Sequence, residues 1–159
     1  MTTRPAHLDS PTTARIIKWM SHVNVFLYRR TGGLLGSKWR VGSAFPFGIP
    51  VCLLTTTGHK SGQQRITPLV FMEDGENVVL VASQGGLPKN PMWYLNSMAD
   101  PRVSIQIKRR VTTMTARVAT PDERAALWPR LTSLYADFDN YQTWTDRTIP
   151  VVICVPASS

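Results

Sequence analysis

The chain has 159 residues, of which 43% are hydrophobic and 18% are charged, a composition typical of one globular domain and unlike that of a disordered or repetitive chain. Eighteen Lys and Arg residues against ten Asp and Glu residues give a formal net charge of +8, which attracts nucleic acid, an anionic membrane surface or an acidic small molecule. No apolar run approaches the roughly 20 residues that cross a bilayer, and the N-terminus lacks a signal-like apolar segment, so we expect a cytoplasmic protein.

The N-terminal segment predicts a basic amphipathic helix. Ser10 and Pro11 supply an N-cap and a first-turn proline, and Gly32 ends the helix. The apolar positions that recur at the helical period are Ile16, Met20, Val23 and Leu27. The opposite face carries Arg15, Lys18, His22, Arg29 and Arg30, flanked by Trp19 and Phe26. Such a helix either lies on an anionic membrane or packs on its own domain. We therefore separate residues 1–44, the helix and its connector, from a domain at residues 45–159.

The pattern then changes to that of short β-strands. Alternating or continuous apolar residues predict strands at residues 51–57, 66–72, 78–83, 103–107, 114–118 and 149–155. Residues 78–82 and 151–155 are apolar at nearly every position, which favours burial on both faces of the sheet. Six short, mainly antiparallel strands with flanking helices indicate an α+β protein built on a closed or split β-barrel.

Two further helices have clear start signals. Asn90 and Pro91 open a short helix that extends through Met98. Residues 120–123 form a capping box, so a second helix is expected to run toward Tyr135 with a kink near Pro129.

Two glycine-containing segments have the features of ligand-binding loops. Residues 55–65 combine two glycines with Lys60 and Arg65, and a turn of this kind either holds a phosphate or is an ordinary basic hairpin. Residues 82–96 combine a double glycine with Trp93, which either accompanies a flat ligand or anchors the core.

A third segment, residues 134–147, is rich in aromatic side chains. Its tyrosines have an unperturbed pKa of about 10, so they remain protonated at neutral pH and can donate a hydrogen bond to a carbonyl group. Packing of a C-terminal lid explains the same aromatic residues equally well. By contrast, Cys52 and Cys154 lie in apolar runs without a clustered histidine, so we expect reduced core thiols and no metal site.

Taken together and in order, the three segments resemble the deazaflavin-dependent nitroreductase and quinone reductase family over roughly residues 45–156. The shared motifs are Thr-Thr-x-Gly-x-Lys-Ser-Gly, then Ala-Ser-x-Gly-Gly with Lys-Asn-Pro-x-Trp-Tyr-Leu-Asn, then Tyr-Gln-x-Trp-Thr-Asp-Arg-x-Ile-Pro. The resemblance implies a split β-barrel that binds coenzyme F-420, an 8-hydroxy-5-deazaflavin with a phosphodiester and an oligoglutamate tail. It also implies an enzyme that passes a hydride to a quinone, an enone or a nitroaromatic compound.

The resemblance assigns roles to residues at matching positions. The phosphate region of the coenzyme is expected at Lys60, Ser61, Gly62 and Arg65. The ring and its linker are expected at Thr55, Thr67, Pro68, Ser83, Gln84, Met92, Trp93 and Asn96. The catalytic candidates are Ser83 and Tyr135, which supply hydrogen bonds to the reacting acceptor, and Tyr141, which lines its pocket.

Departures from the family pattern affect the expected acceptor. Family members that reduce bulky nitro compounds tend to carry tyrosine, lysine and tyrosine where this chain has Val70, Gln84 and Phe138. The missing hydroxyl and amine groups count against nitroimidazole reduction and leave coenzyme binding less affected.

Two alternatives and one association remain open. An FMN-binding split barrel would share the fold, and a nucleic-acid-binding barrel would use the same basic and aromatic residues. The tightest basic run, residues 108–110, is separated from the aromatic cluster and is interpreted as a solvated bend, so no nucleic acid is expected. The basic N-terminal helix further suggests peripheral contact with the inner face of the cell membrane.

Overall fold

The computed structural model describes residues 4–6, 10–40 and 46–158, and an antiparallel β-barrel with helices around it forms most of this part of the chain. The strands are β1 (Lys38–Trp39), β2 (Ile49–Thr57), β3 (Gln64–Asp74), β4 (Asn77–Val81), β5 (Arg102–Ile107), β6 (Arg110–Val118) and β7 (Val151–Pro156). The helices are α1 (Pro11–Thr31), α2 (Met92–Ala99), α3 (Pro121–Leu134) and α4 (Asp137–Thr143).

The predicted barrel is confirmed, and it is closed. Strands β2, β3, β4, β7, β6 and β5 pair in that order, and β5 returns to pair with β2. Every pairing in this ring is antiparallel. Leu54 of β2 shows the closure, because it pairs with Thr67 of β3 on one side and with Ile105 of β5 on the other.

Two hydrophobic clusters cover the two faces of the sheet. One brings together alternate residues from the barrel strands, including Leu54, Leu80 and Ile105. The other packs the intervening residues of β4 and β7 against α3 and α4. Strands β4 and β7 are therefore buried on both faces, as their continuous apolar sequences predict.

Both cysteines are free and belong to the first cluster. Burial raises the pKa of Cys154 to about 12 and raises that of Cys52 as well. The two thiols therefore stay protonated at neutral pH, in agreement with their expected role as core residues.

Helix α1 has the predicted ends, and it contacts the barrel mainly near its C-terminus. Ser10 caps it by accepting a hydrogen bond from the Thr13 amide at 3.1 Å, and Gly32 ends it in the left-handed conformation. Tyr28 is fully buried, and its hydroxyl accepts a 2.7 Å hydrogen bond from the Lys108 amide in the β5–β6 turn. The apolar side chains of the N-terminal half, such as Ile16 and Met20, remain more than half exposed.

Helix α3 agrees with the sequence prediction, whereas α4 and β1 were not predicted. The capping box at Thr120 is present, and α3 runs through Pro129 to Leu134 with Tyr135 as its C-cap, which confirms the predicted extent of the helix. Helix α4 was not predicted because it has seven residues and no side-chain hydrogen bond at its N-cap. Strand β1 was also missed, since its two residues are defined only by pairing with β2.

Candidate functional site

Two neighbouring cavities lie beside the barrel. The first lies between the β2–β3 hairpin, α1 and α2, and the second lies between β3, the loop after β4, the start of α2 and α4. The basic cavity has a volume of about 1110 Å³, and the aromatic cavity has a volume of about 720 Å³. Both are lined by Lys18, Thr67, Met92 and Trp93. These shared residues place the two cavities side by side, and we refer to them together as the cleft, which has a charged part and a mainly apolar part.

The basic cavity has cationic side chains on two walls. The hairpin contributes Lys60 and Arg65, and α1 contributes Lys18, Arg29 and Arg30. His22 and His59 also line the cavity. Among the described residues that line it, none is an aspartate or a glutamate. This cavity is therefore suited to a ligand that carries several negative charges.

The turn that presents Lys60 is fixed by hydrogen bonds. The Gly58 amide donates to the Gln63 carbonyl at 2.7 Å, and the Gly62 amide donates to the Gly58 carbonyl at 2.7 Å. Gly62 has a φ of +68°, a conformation that favours glycine. The turn therefore has a defined shape before any ligand binds.

Asn96 ties this turn to α2. Its side-chain Oδ1 accepts a hydrogen bond from the His59 amide at 3.0 Å and lies 2.7 Å from His59 Nδ1. Its Nδ2 donates to the Thr56 hydroxyl at 3.2 Å, and the residue is only 3% exposed. The amide group thus has protein partners for its oxygen and its nitrogen, which gives Asn96 a role in positioning the basic turn.

Trp93 is a core residue, as one of the two sequence interpretations predicts, and it also borders the cleft. It is 5% exposed and belongs to the barrel core, and it also lines both cavities. A buried indole of this kind offers a rigid wall at the junction of the charged and apolar parts of the cleft.

The far wall of the aromatic cavity contains a hydrogen-bonded pair of tyrosines. The hydroxyl oxygens of Tyr135 and Tyr141 are 3.1 Å apart, and either can be the donor. Desolvation is the main cause that raises the pKa of each phenol above its ordinary value, and the Asp137 carboxylate contributes in the same direction. Both phenols are therefore protonated at neutral pH and can act as hydrogen-bond donors.

Arg147 holds the loop that carries Ser83. Its Nη2 donates to the carbonyls of Ala82 and Ser83 at 3.0 Å each, and its Nε donates to the Leu87 carbonyl at 3.0 Å. Its Nη1 donates a hydrogen bond to Asn90 Oδ1 at 2.8 Å. These bonds link the end of β4 to the start of α2 and fix the wall of the aromatic cavity.

The same loop has an unusual backbone. Gln84, Gly85 and Gly86 follow one another with φ values of +46°, +61° and +77°. A positive φ is costly for a residue with a side chain, so Gln84 depends on the surrounding contacts to stay in this conformation. Strain of this kind next to a cavity is typical of a binding site.

Most of the residues assigned from the sequence come together in the cleft. The basic cavity is lined by Lys60, Ser61, Arg65, Thr67, Met92, Trp93 and Asn96. The aromatic cavity is lined by Thr67, Ser83, Gln84, Met92, Trp93, Tyr135 and Tyr141. Three assigned residues line neither cavity: Thr55 lies in the β2 ladder, Pro68 is buried in β3, and Gly62 forms the turn.

Sequence reasoning missed two contributions to the site. The basic residues of α1 were grouped on one helix face, but the hydrophobic pattern did not indicate that this face lines a cavity. Arg147 was part of a quoted motif, but its partners are 57 to 65 residues away in the chain. No local pattern identifies contacts of that separation.

The cleft fits the coenzyme that the resemblance implies. A phosphodiester and a glutamate tail need cationic groups without competing carboxylates, and the basic cavity supplies them. A flat ring needs an apolar slot bounded by aromatic side chains, which the neighbouring cavity supplies.

Comparison with known proteins gives consistent matches. The family profile described as F420H(2)-dependent quinone reductase matches residues 19–156. The F420H(2)-dependent quinone reductase Rv1261c of Mycobacterium tuberculosis is 38% identical over 143 residues, covering 87% of this chain and 96% of the relative. A second protein of the same organism, Rv3178, is 44% identical over 117 residues, which cover 74% of this chain and 98% of the relative. The solved structure of an F420-H2 dependent reductase, FDR-A, is 44% identical with a TM-score of 0.62, covering 66% of this chain and 93% of that one.

Alanine substitutions at two neighbouring glycines test how the loop after β4 packs against α4. At Gly86, an added Cβ would lie 2.9 Å from the Tyr141 carbonyl oxygen, whereas at Gly85 nothing lies within 4 Å. Both Gly85→Ala and Gly86→Ala introduce backbone strain of about 1–2 kcal/mol because φ is positive. We expect Gly86→Ala to lower the free energy of unfolding, measured in urea, clearly more than Gly85→Ala. Equal losses would show that α4 does not pack on this loop as described.

Proposed function

Since the chain belongs to the F420H(2)-dependent quinone reductase family, we propose that it transfers a hydride from reduced coenzyme F-420 to a quinone or to another electron-poor acceptor such as an enone. One observation carries this proposal: a basic cavity lies next to an aromatic cavity. None of the described residues that line the basic cavity is a carboxylate. The protein is then an oxidoreductase in which binding and orientation are the main tasks of the side chains.

The hairpin is the proposed site for the phosphodiester. Lys60 and Arg65 are exposed on one wall of the basic cavity, where their charges can pair with phosphate oxygens. The Ser61 hydroxyl lies on the same turn and can donate a hydrogen bond. The role of Gly62 is to form the turn, because its amide already donates to the Gly58 carbonyl.

The ring is proposed to lie beside Trp93, where the two cavities meet. Met92 is 56% exposed and lies next to it in the chain, so it can cover one face of a flat ligand. Three other residues are proposed to contact the ring and its linker: Thr67, Ser83 and Gln84. Three more are proposed to act indirectly, because Thr55 and Pro68 belong to the paired strands β2 and β3 and Asn96 holds the turn.

The proposed chemistry assigns hydrogen-bond donors to the acceptor. The bound deazaflavin supplies a hydride, since the carbon at its reactive position favours two-electron transfer. Tyr135 and Tyr141 donate to the acceptor oxygen on which negative charge develops, and Ser83 offers a hydroxyl from the opposite loop. The buried ring of Phe138 helps to exclude water from this end of the cleft.

The lining supports a flat, mainly apolar acceptor. Val70 and Phe138 both line the aromatic cavity and bring no hydroxyl group to it. A quinone or an enone is flat and mainly apolar, and its carbonyl oxygen can accept a hydrogen bond from the tyrosine pair. FMN is a less suitable coenzyme than F-420, because its single phosphate would leave most of the basic cavity without a negative partner.

Peripheral membrane contact is proposed through the N-terminal half of α1. Ile16, Trp19 and Met20 are between 52% and 68% exposed, and no described helix has the length and apolarity to cross a bilayer. Since Lys18, Arg29 and Arg30 line the basic cavity, the apolar side chains would provide most of the attachment to the inner face of the membrane.

Flotation with anionic liposomes tests this contact. The double variant Ile16→Ser/Met20→Ser removes two apolar side chains one helical turn apart and should float much less than the unaltered protein. The control Leu34→Ser alters a residue that is 79% exposed outside the helix and should float normally. Equal flotation of all three proteins would count against the contact.

Coenzyme binding should depend on the hairpin charges. The variant Lys60→Ala/Arg65→Ala is expected to raise the Kd for coenzyme F-420 by about tenfold or more, because it removes two charges that face the phosphodiester. The control Lys89→Ala/Arg102→Ala makes the same charge change at exposed residues that line neither cavity. Deazaflavin fluorescence gives the Kd, and an unchanged value in the first variant would contradict the proposed site.

Hydride transfer should depend on the tyrosine pair. Tyr135→Phe/Tyr141→Phe is expected to slow single-turnover oxidation of the reduced coenzyme by menadione by about 10²-fold, with little change in coenzyme Kd. Because burial raises the pKa of both phenols, they stay protonated above their ordinary pKa. The rate that depends on them should therefore be level between about pH 7 and pH 9. A rate unaffected by the substitutions would exclude this role.

A further inference from the structure

Hydroxyl groups line the aromatic cavity from two distant parts of the chain. Ser83 lies in the loop after β4, whereas Tyr135 and Tyr141 lie at the end of α3 and in α4. Ser83 is 8% exposed, and its hydroxyl has no hydrogen-bond partner among the described residues. A nearly buried hydroxyl that is free beside a cavity can donate to a ligand, provided that its backbone is held in place.

The side chain of Arg147 holds the backbone of Ser83. Its Nη2 donates to the Ala82 and Ser83 carbonyls at 3.0 Å each. These carbonyls belong to the two peptide groups that flank the Ser83 α-carbon. One nitrogen atom of Arg147 therefore helps to fix both peptide planes and, with them, the direction in which the Ser83 side chain leaves the backbone.

The backbone of Arg147 is in turn held by α4. Gln142 follows Tyr141 directly in the chain, and its Nε2 donates to the Arg147 carbonyl at 2.8 Å. Its Oε1 accepts hydrogen bonds of 2.9 Å from Arg124 Nη2 and from the Ile149 amide. The position of Arg147 is thus defined relative to the helix that carries Tyr141.

The shape of the guanidinium matters more here than its charge. Three nitrogen atoms of Arg147 donate to four oxygens, which belong to carbonyl and amide groups. Among the described residues no carboxylate forms an ion pair with Arg147, and desolvation lowers its pKa from the ordinary value of an arginine. A lysine ammonium offers one donor atom and cannot reproduce this fork.

We propose that Arg147 is a positioning residue for hydride transfer and that it acts through the Ser83 hydroxyl. This inference rests on the proposed function, because it takes the acceptor oxygen to lie between Ser83 and the tyrosine pair. A hydride that adds to the acceptor brings two electrons, and the negative charge that develops on the carbonyl oxygen accepts a hydrogen bond from Ser83. The oxygen then takes a proton from the tyrosine pair, which regains one from water.

A purely structural role for Arg147 makes a different prediction. In that case Arg147→Lys would lower the free energy of unfolding and slow the reaction by the same factor whether or not residue 83 carries a hydroxyl. If Arg147 acts through Ser83, the same substitution has little further effect once the hydroxyl is gone. A double-mutant cycle separates the two roles.

The test uses the full chain at saturating reduced coenzyme F-420, with single-turnover oxidation by menadione as the measured rate. Arg147→Lys and Ser83→Ala are each expected to slow this step by about tenfold or more, because a misplaced or missing donor no longer meets the developing charge. The double variant should react within about twofold of Ser83→Ala alone. The control Arg117→Lys removes an arginine that donates to Glu123 at 2.7 and 2.8 Å and lines neither cavity, and it should react like the unaltered protein.

A milder variant serves if urea unfolding shows that Arg147→Lys does not fold. Asn90→Ala removes only the acceptor of the Nη1 hydrogen bond, and it should slow the reaction by about two- to fivefold in the unaltered background and not in the Ser83→Ala background.

Each other outcome contradicts the inference. Equal slowing in both backgrounds would show a general loss of structure. A normal rate in folded Arg147→Lys, or in Ser83→Ala, would overturn this inference and leave the proposed function intact. No oxidation of the reduced coenzyme by the unaltered protein would overturn both.

Discussion

The function proposed for this chain depends on positive charge that is gathered in one cavity, with no carboxylate among the described residues that line it. Lys60 and Arg65 on the hairpin face Arg29 and Arg30 on α1, and the described lining of the cavity between them contains no carboxylate. Like charges around one cavity repel each other, and the arrangement is tolerable because all four residues are exposed to solvent, which screens the repulsion. A polyanionic ligand would replace this repulsion with attraction, so the cleft is organised for a ligand that the protein does not itself supply.

The rest of the molecule keeps these charges beside an apolar slot. Barrel closure between β2 and β5 fixes the hairpin, and Asn96 connects its turn to α2. Tyr28 connects α1 to the β5–β6 turn, and Arg147 holds the loop that carries Ser83. These contacts join elements that are distant in sequence, so the two parts of the cleft have a fixed relation to each other. Placement of this kind is the main contribution of a protein whose coenzyme carries the reactive chemistry.

Much of this fold follows from local sequence patterns, but the contacts between its elements do not. Alternating apolar residues identified the barrel strands, and Ser10 and Thr120 marked helix starts that the structure confirms. Helix α4 is too short and too weakly capped to be identified, and β1 exists only through pairing. The site shows the same limit, because the periodicity of α1 grouped Arg29 and Arg30 but did not reveal the cavity that they face. The partners of Arg147 likewise follow only from the tertiary fold.

A crystal structure of the complex with coenzyme F-420 tests the central claim most directly. The account predicts density for the deazaflavin ring beside Trp93 and for the phosphodiester within hydrogen-bonding distance of Lys60 and Arg65. Density for the ring outside the junction of the two cavities, or for the phosphodiester away from the hairpin, would contradict it.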